Sequence, residues 1–111
     1  MMQTKGTFKT RVRVWARKIG VDVQTISLRK MTNKWASYTE NNRLLIFNVE
    51  LLTMDKGLSD YIIVHELLHR VVPNHGKLWK ALLSNYIPDW ELRDKELKTR
   101  VGESMETTTS L

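Results

Sequence analysis

Phe8, Val12, Trp15, Ala16 and Ile19 recur at the three-and-four spacing of an amphipathic helix, with Thr7 placed to cap its start and Gly20 to stop it. From Thr25 the period falls to two. Ile26 and Leu28 alternate with polar neighbours, Thr32 and Asn33 mark a turn, and residues 34–39 are rich in β-favouring types. Asn41 and Asn42 mark a second turn before the short apolar run from Leu44 to Val49. Three antiparallel strands in a meander are the simplest arrangement of these segments. Residues 60–72 are then almost wholly apolar, with Ser59 as a suitable cap and Asp60 as a favourable first-turn charge. A helix of that composition must be buried on most sides. Leu67, Leu68 and Val71 are expected to pack inward, while Tyr61, His65 and His69 share a cleft side.

Leu78, Trp79, Leu82, Leu83 and Tyr86 predict a further short helix ended by Pro88, and Asp89 can cap a last one over residues 90–100. Its acid-before-base pairs Glu91 with Lys95, Asp94 with Lys98 and Glu96 with Arg100 stand four apart, each adding only a few tenths of a kcal/mol. They predict a solvated outer face. The expected fold class is thus α+β: a compact single domain with an N-terminal helix, a three-stranded antiparallel meander, a central helix and two C-terminal helices.

At 111 residues the chain has room for one modest core, assigned to residues 1–100, with 101–111 as a flexible polar tail. It contains no cysteine, which excludes disulfides, thiolate metal sites and a cysteine nucleophile, so a bound metal must use nitrogen and oxygen ligands. No run approaches the twenty apolar residues of a membrane span, and the basic N-terminus lacks the apolar stretch of a secretory signal. A cytoplasmic protein without a membrane partner is expected. The formal net charge is +6. Lys5, Lys9, Arg11, Arg13, Arg17 and Lys18 all belong to the outer face of the first helix, and no acid precedes Asp22.

The chemistry concentrates in IIVHELLHRVVPNHG, which holds all three histidines of the protein: His65, His69 and His75. Side chains four apart sit above one another on a helix, so His65 and His69 can reach one metal ion. Glu66 is turned by about 100° round the axis, placed to touch a water on that ion as a general base. A catalytic zinc keeps three protein ligands and one open position. Pro73 should stop the helix near Val72, and the turn-tolerant Asn74 and Gly76 can swing His75 back as the third ligand. HExxH does occur by chance on amphipathic helices, but three histidines at this spacing beside a helix-stopping proline favour one catalytic Zn²⁺.

Metzincins share this ligand interval but carry glycine where this chain has Val72. The segment instead resembles the YgjP-like and minigluzincin metallopeptidases through Tyr61, His65, Glu66, Leu67, His69, Asn74, His75 and Trp79. Upstream, Trp35, Ser37 and a strand ending at Asn48 also match, whereas Ala36 and Tyr38 replace the family's glycine and cysteine. The likeness covers roughly residues 26–97. It implies a small zinc peptidase acting on peptides or proteins and, by analogy with relatives held latent by their own C-terminal segments, a tail whose Glu103 and Glu106 could approach the cleft.

Tyr61, Tyr38 and Arg29 are candidates to steady a developing oxyanion. Asn74 serves the turn or orients a ligand, and Trp79 forms a packed wall. Peptidases of this design often take substrate as an added strand, here along one of the two strands of the 34–49 hairpin. Two other readings stand beside peptidase activity. The basic first helix suggests nucleic-acid association, as in the DNA-associated SprT-like proteases that the motif helix also resembles, although no aromatic interleaving supports it over a solvated face. A metal-dependent hydrolase of a non-peptide substrate such as a nucleotide would use similar chemistry, without a glycine-rich phosphate loop to support it.

Overall fold

Thr4 opens the first helix, its hydroxyl accepting the amide of Thr7, one turn before the cap expected at Thr7. Helix α1 spans Lys5–Ile19 and ends as anticipated at Gly20, where φ of 88° needs a residue without a Cβ and the amide donates to Ala16 at 2.8 Å. The computed structural model describes residues 3–39, 41, 43–72 and 76–101, with the side chains of residues 100 and 101 outside the description. The tail beyond 101, Pro73, Asn74 and His75 therefore lie outside the described residues.

Strands β1 (Thr25–Arg29), β2 (Ala36–Thr39) and β3 (Leu44–Asn48) form one sheet in the order β1-β3-β2. β2 pairs antiparallel with β3 as a hairpin, but β1 runs parallel to β3 on its other side, so the sheet is mixed rather than an antiparallel meander. The alternation of Ile26 and Leu28 looks the same in either orientation. What decides the matter is the connection through residues 30–35, which carries the chain from one sheet edge to the other. Asn48 secures that crossing from the end of β3, its side-chain amide donating to the carbonyls of Met31 at 3.1 Å and Lys34 at 3.0 Å. Trp35, at the end of the crossing, is buried in the core, and its carbonyl accepts the Asn48 backbone amide at 2.9 Å.

A short 3-10 turn at Val49–Thr53 leads into helix α2, Lys56–Leu68. Asp55 caps it by accepting the Leu58 amide, so the helix begins four residues before the start expected from Ser59. Ser59 is instead buried against α1, where its hydroxyl accepts from Arg11 and donates to the Lys56 carbonyl. The far end also shifts: after Leu68 the amides of His69, Arg70 and Val71 donate to carbonyls three residues back, tightening the chain before Val72.

Every residue of α2 from Leu58 to Leu68 is buried, and the helix packs against α1, β2, α3 (Lys77–Tyr86) and α4 (Trp90–Val101). Leu67 and Leu68 join the core as expected, but Val71 lies 47% exposed because it has left the helical path. Arg11, expected on the solvated face of α1, turns inward: its Nε lies 2.9 Å from Asp60 Oδ1 on α2. Trp15 Nε1 donates to the same oxygen at 3.1 Å. Among the described residues no helix is long and apolar enough to cross a membrane.

Candidate metal centre

Burial of α2 on all sides sets the character of the site, because its polar residues have been taken out of water. His65 and His69 are 4% and 6% exposed, one turn apart, with ring centroids 5.0 Å from each other. The tightening after Leu68 keeps His69 in right-handed helical conformation, so the i,i+4 alignment survives the end of the helix. Trp79 from α3 closes this pair from the side, meeting the His65 ring edge-to-face at 4.8 Å and stacking on the His69 ring at 5.5 Å. The wall expected of Trp79 is therefore present.

Glu66 is fully buried, and among the described residues neither carboxylate oxygen has a hydrogen-bond donor. A buried carboxylate left this way is costly unless water or a cation completes its surroundings. Burial pushes its pKa up to about 6, against the opposing pull of the positive charges of Arg70 and then Lys34. A carboxyl poised near neutrality can exchange a proton with water at working pH.

These features test whether a metal fits. Two buried imidazoles on one helical face supply borderline-soft nitrogen donors suited to zinc, and a buried carboxylate stands next to the first of them in sequence. Among the described residues no three histidine, cysteine, aspartate or glutamate side chains gather closely enough to hold a metal alone. The third ligand anticipated from the sequence, His75, falls outside those residues. The two imidazoles are donors of the kind a zinc site uses.

A cavity of about 450 Å³ opens beside His69, lined by Arg70, Val71, Tyr38 of β2 and residues 20–22. The Arg70 guanidinium lies 4.2 Å from the Tyr38 ring centroid along this wall. Of the oxyanion candidates, Tyr38 thus borders the cleft. Tyr61 does not offer its hydroxyl there: it is 1% exposed and its phenol donates to Asp94 of α4 at 2.8 Å. Burial first, then that hydrogen bond and the Asp94 charge, raise its pKa above the usual range. Arg29 lines a different cavity with Lys9, Thr25 and Ser27, away from the histidines.

Sequence reasoning missed Asp94 and the stapling role of Asn48. Helical spacing predicts a solvated ion pair of Asp94 with Lys98, which does form at 2.9 Å, but the other carboxylate oxygen accepts from Tyr61 across 33 positions of sequence. No local periodicity reports such a contact.

A buried HExxH helix set against a small mixed sheet, with a cleft open at the second histidine, marks a metallopeptidase. The chain belongs to the YgjP-like family, whose metallopeptidase domain matches residues 2–100. Among solved structures it is similar to the metallopeptidase zymogen jannalysin of Methanocaldococcus jannaschii, with a TM-score of 0.70 and 29% identity over 83% of this chain and 92% of that one. It shares its fold with the metallopeptidase zymogen abylysin of Pyrococcus abyssi, with a TM-score of 0.72 and 14% identity over 88% of this chain and 98% of that one. No curated protein matches it. The protein is a peptidase that depends on a metal.

Proposed function

We propose that His65 and His69, joined by His75, hold a single zinc ion and that Glu66 is the general base and acid of peptide-bond hydrolysis. When bound, zinc supplies Lewis acidity that lowers the pKa of water and polarises the peptide carbonyl. Glu66 accepts a proton from water as its oxygen adds to the carbonyl carbon, then returns that proton to the amine nitrogen as the carbon–nitrogen bond breaks. The observation that carries this reading is the buried carboxylate of Glu66, without a donor among the described residues, on the same helix as two buried imidazoles whose rings meet edge-to-face 5.0 Å apart.

The sheet order favours β2 as the hairpin strand that receives substrate. β3 is flanked on both sides, so of the two hairpin strands β2 is the one at a sheet edge among the described residues. It lies against α2 and contributes Tyr38 to the cleft, so an extended peptide adding to this edge would run beside the cleft that His69 borders. Such main-chain pairing favours broad specificity.

Residues 101–111 are proposed as a latency segment, in keeping with the two similar zymogens, and the cysteine-free composition suits a reducing cytoplasm. A second reading, contact with nucleic acid, draws support from charge placement. Residues 3–39 carry nine lysines and arginines against one acid, and Lys5, Lys9, Arg13 and Arg17 stand four apart along α1. Like charges at that interval weaken a helix, and of the four only Arg13 is tied to the fold among the described residues' side-chain hydrogen bonds, donating to the carbonyls of Val23 and Gln24.

The deciding experiment pairs metal analysis with digestion of an unstructured protein. Zinc at one equivalent, activity abolished by a chelator and restored by zinc, and an inactive Glu66→Gln protein that still holds zinc are expected. Full activity in Glu66→Gln, or no effect of chelation, would refute the reading.

A further inference from the structure

The structure assigns to Tyr61 and Asp94 a positioning role: the buried hydrogen bond from α4 locks the Tyr61 ring against His65 and holds that imidazole in its metal-binding orientation. This inference rests on His65 being a ligand, as proposed above.

The Tyr61 ring meets the His65 ring edge-to-face, with centroids 5.5 Å apart and planes at 71°. Trp79 meets the same imidazole at 4.8 Å and 80°, so two aromatic side chains contact it edge-to-face. Trp79 is fixed by burial in the α2–α3 contact at 3% exposure. Tyr61 sits one turn before His65 on the same helix; packing confines its ring at 1% exposure, and a hydrogen bond at its far end selects the orientation within that space. Asp94 holds it at 2.8 Å.

That anchor is itself restrained. The other carboxylate oxygen of Asp94 pairs with Lys98 at 2.9 Å, which orients the acceptor toward the phenol. The neighbouring Arg93 reaches Asp55 at the start of α2 at 3.0 Å, fastening α4 to α2 at a second point. Helix α4, which contributes no histidine and no cleft residue, therefore acts on the metal centre through one phenol. A hydrogen bond to an ionised acceptor is short and strong enough to select a single orientation. Groups that orient metal ligands from behind commonly govern affinity by 10–100-fold.

Cobalt(II) titration of the metal-free full chain tests this, because its visible absorption reports both affinity and ligand geometry. Tyr61→Phe keeps the ring and removes only the bond, leaving Asp94, 24% exposed, to Lys98 and water. Its metal affinity should fall by about tenfold with an altered band shape. Asp94→Asn should do likewise, and the double variant should be no worse than either single one, since both break the same link. Trp15→Phe removes a hydrogen bond to Asp60 on the other side of α2 and should lower the melting temperature without changing cobalt affinity. Wild-type affinity and spectrum in Tyr61→Phe would overturn the positioning role. Retained binding in His65→Ala would instead overturn the ligand assignment on which it rests.

Discussion

Trp79 lies nearly parallel to His69, with ring planes 27° apart and centroids at 5.5 Å, and so joins α3 to the end of the motif helix. Because the same indole also contacts His65, one side chain braces both proposed ligands. Trp79→Ala should lower stability by about 3–5 kcal/mol through the cavity it leaves. It should also weaken zinc binding, whereas Leu78→Ala beside it, 62% exposed, should change neither. Chemical denaturation and zinc competition with a chromogenic chelator would measure the two effects, and unchanged zinc affinity would rule out the bracing role.

Glu66 makes the metal-free protein sensitive to pH. Its folded-state pKa of about 6 stands above the 4.5 usual for a glutamate, so the fold favours the protonated form. The resulting stabilisation is fully present below pH 4.5 and is lost as pH rises through 6. By pH 7 the metal-free protein should have lost about 2 kcal/mol from this group, a loss absent in Glu66→Gln. The difference between the two unfolding free energies, measured from pH 4 to 7 in chelator, is the readout. A pH-independent difference would show that burial does not perturb this carboxyl.

Arg11 and Asp60 tie α1 to the motif helix, with both side chains largely withdrawn from water. Asp60→Ala removes the acceptor for Arg11 and Trp15 together and should cost about 3 kcal/mol. Lys56→Ala, which breaks the 73%-exposed partner of the same carboxylate, should cost less than about 1 kcal/mol. Urea unfolding of both variants tests the contrast, and equal costs would contradict the assigned burial.

Removing residues 101–111 should raise the specific activity toward an unstructured protein substrate if that segment confers latency. The comparison needs only the full and shortened chains at equal zinc content. Equal activities would dismiss latency.

Duplex DNA should bind in dilute salt if the α1 cations form a contact surface. Replacing Lys9 and Arg17 with glutamine should then reduce the slope of log affinity against log salt by about 2. Fluorescence anisotropy across a salt series measures this, and no binding at the lowest salt would dispose of the second reading.

Sequence periodicity by itself determined the α+β class, the number of helices and strands, the α1 stop at Gly20 and the His65–Glu66–His69 constellation. Each depends on residues within a turn or two of one another, where spacing translates directly into geometry. Only the tertiary structure decided that β1 runs parallel to β3, that Arg11 faces inward and that Tyr61 is held by Asp94. Alternation along a strand does not encode its partner's direction, and a charged residue's surroundings depend on which distant helix packs over it. Contacts across dozens of residues are chosen by how the buried faces fit together, and it is through such contacts that α1, α3 and α4 act on the motif helix.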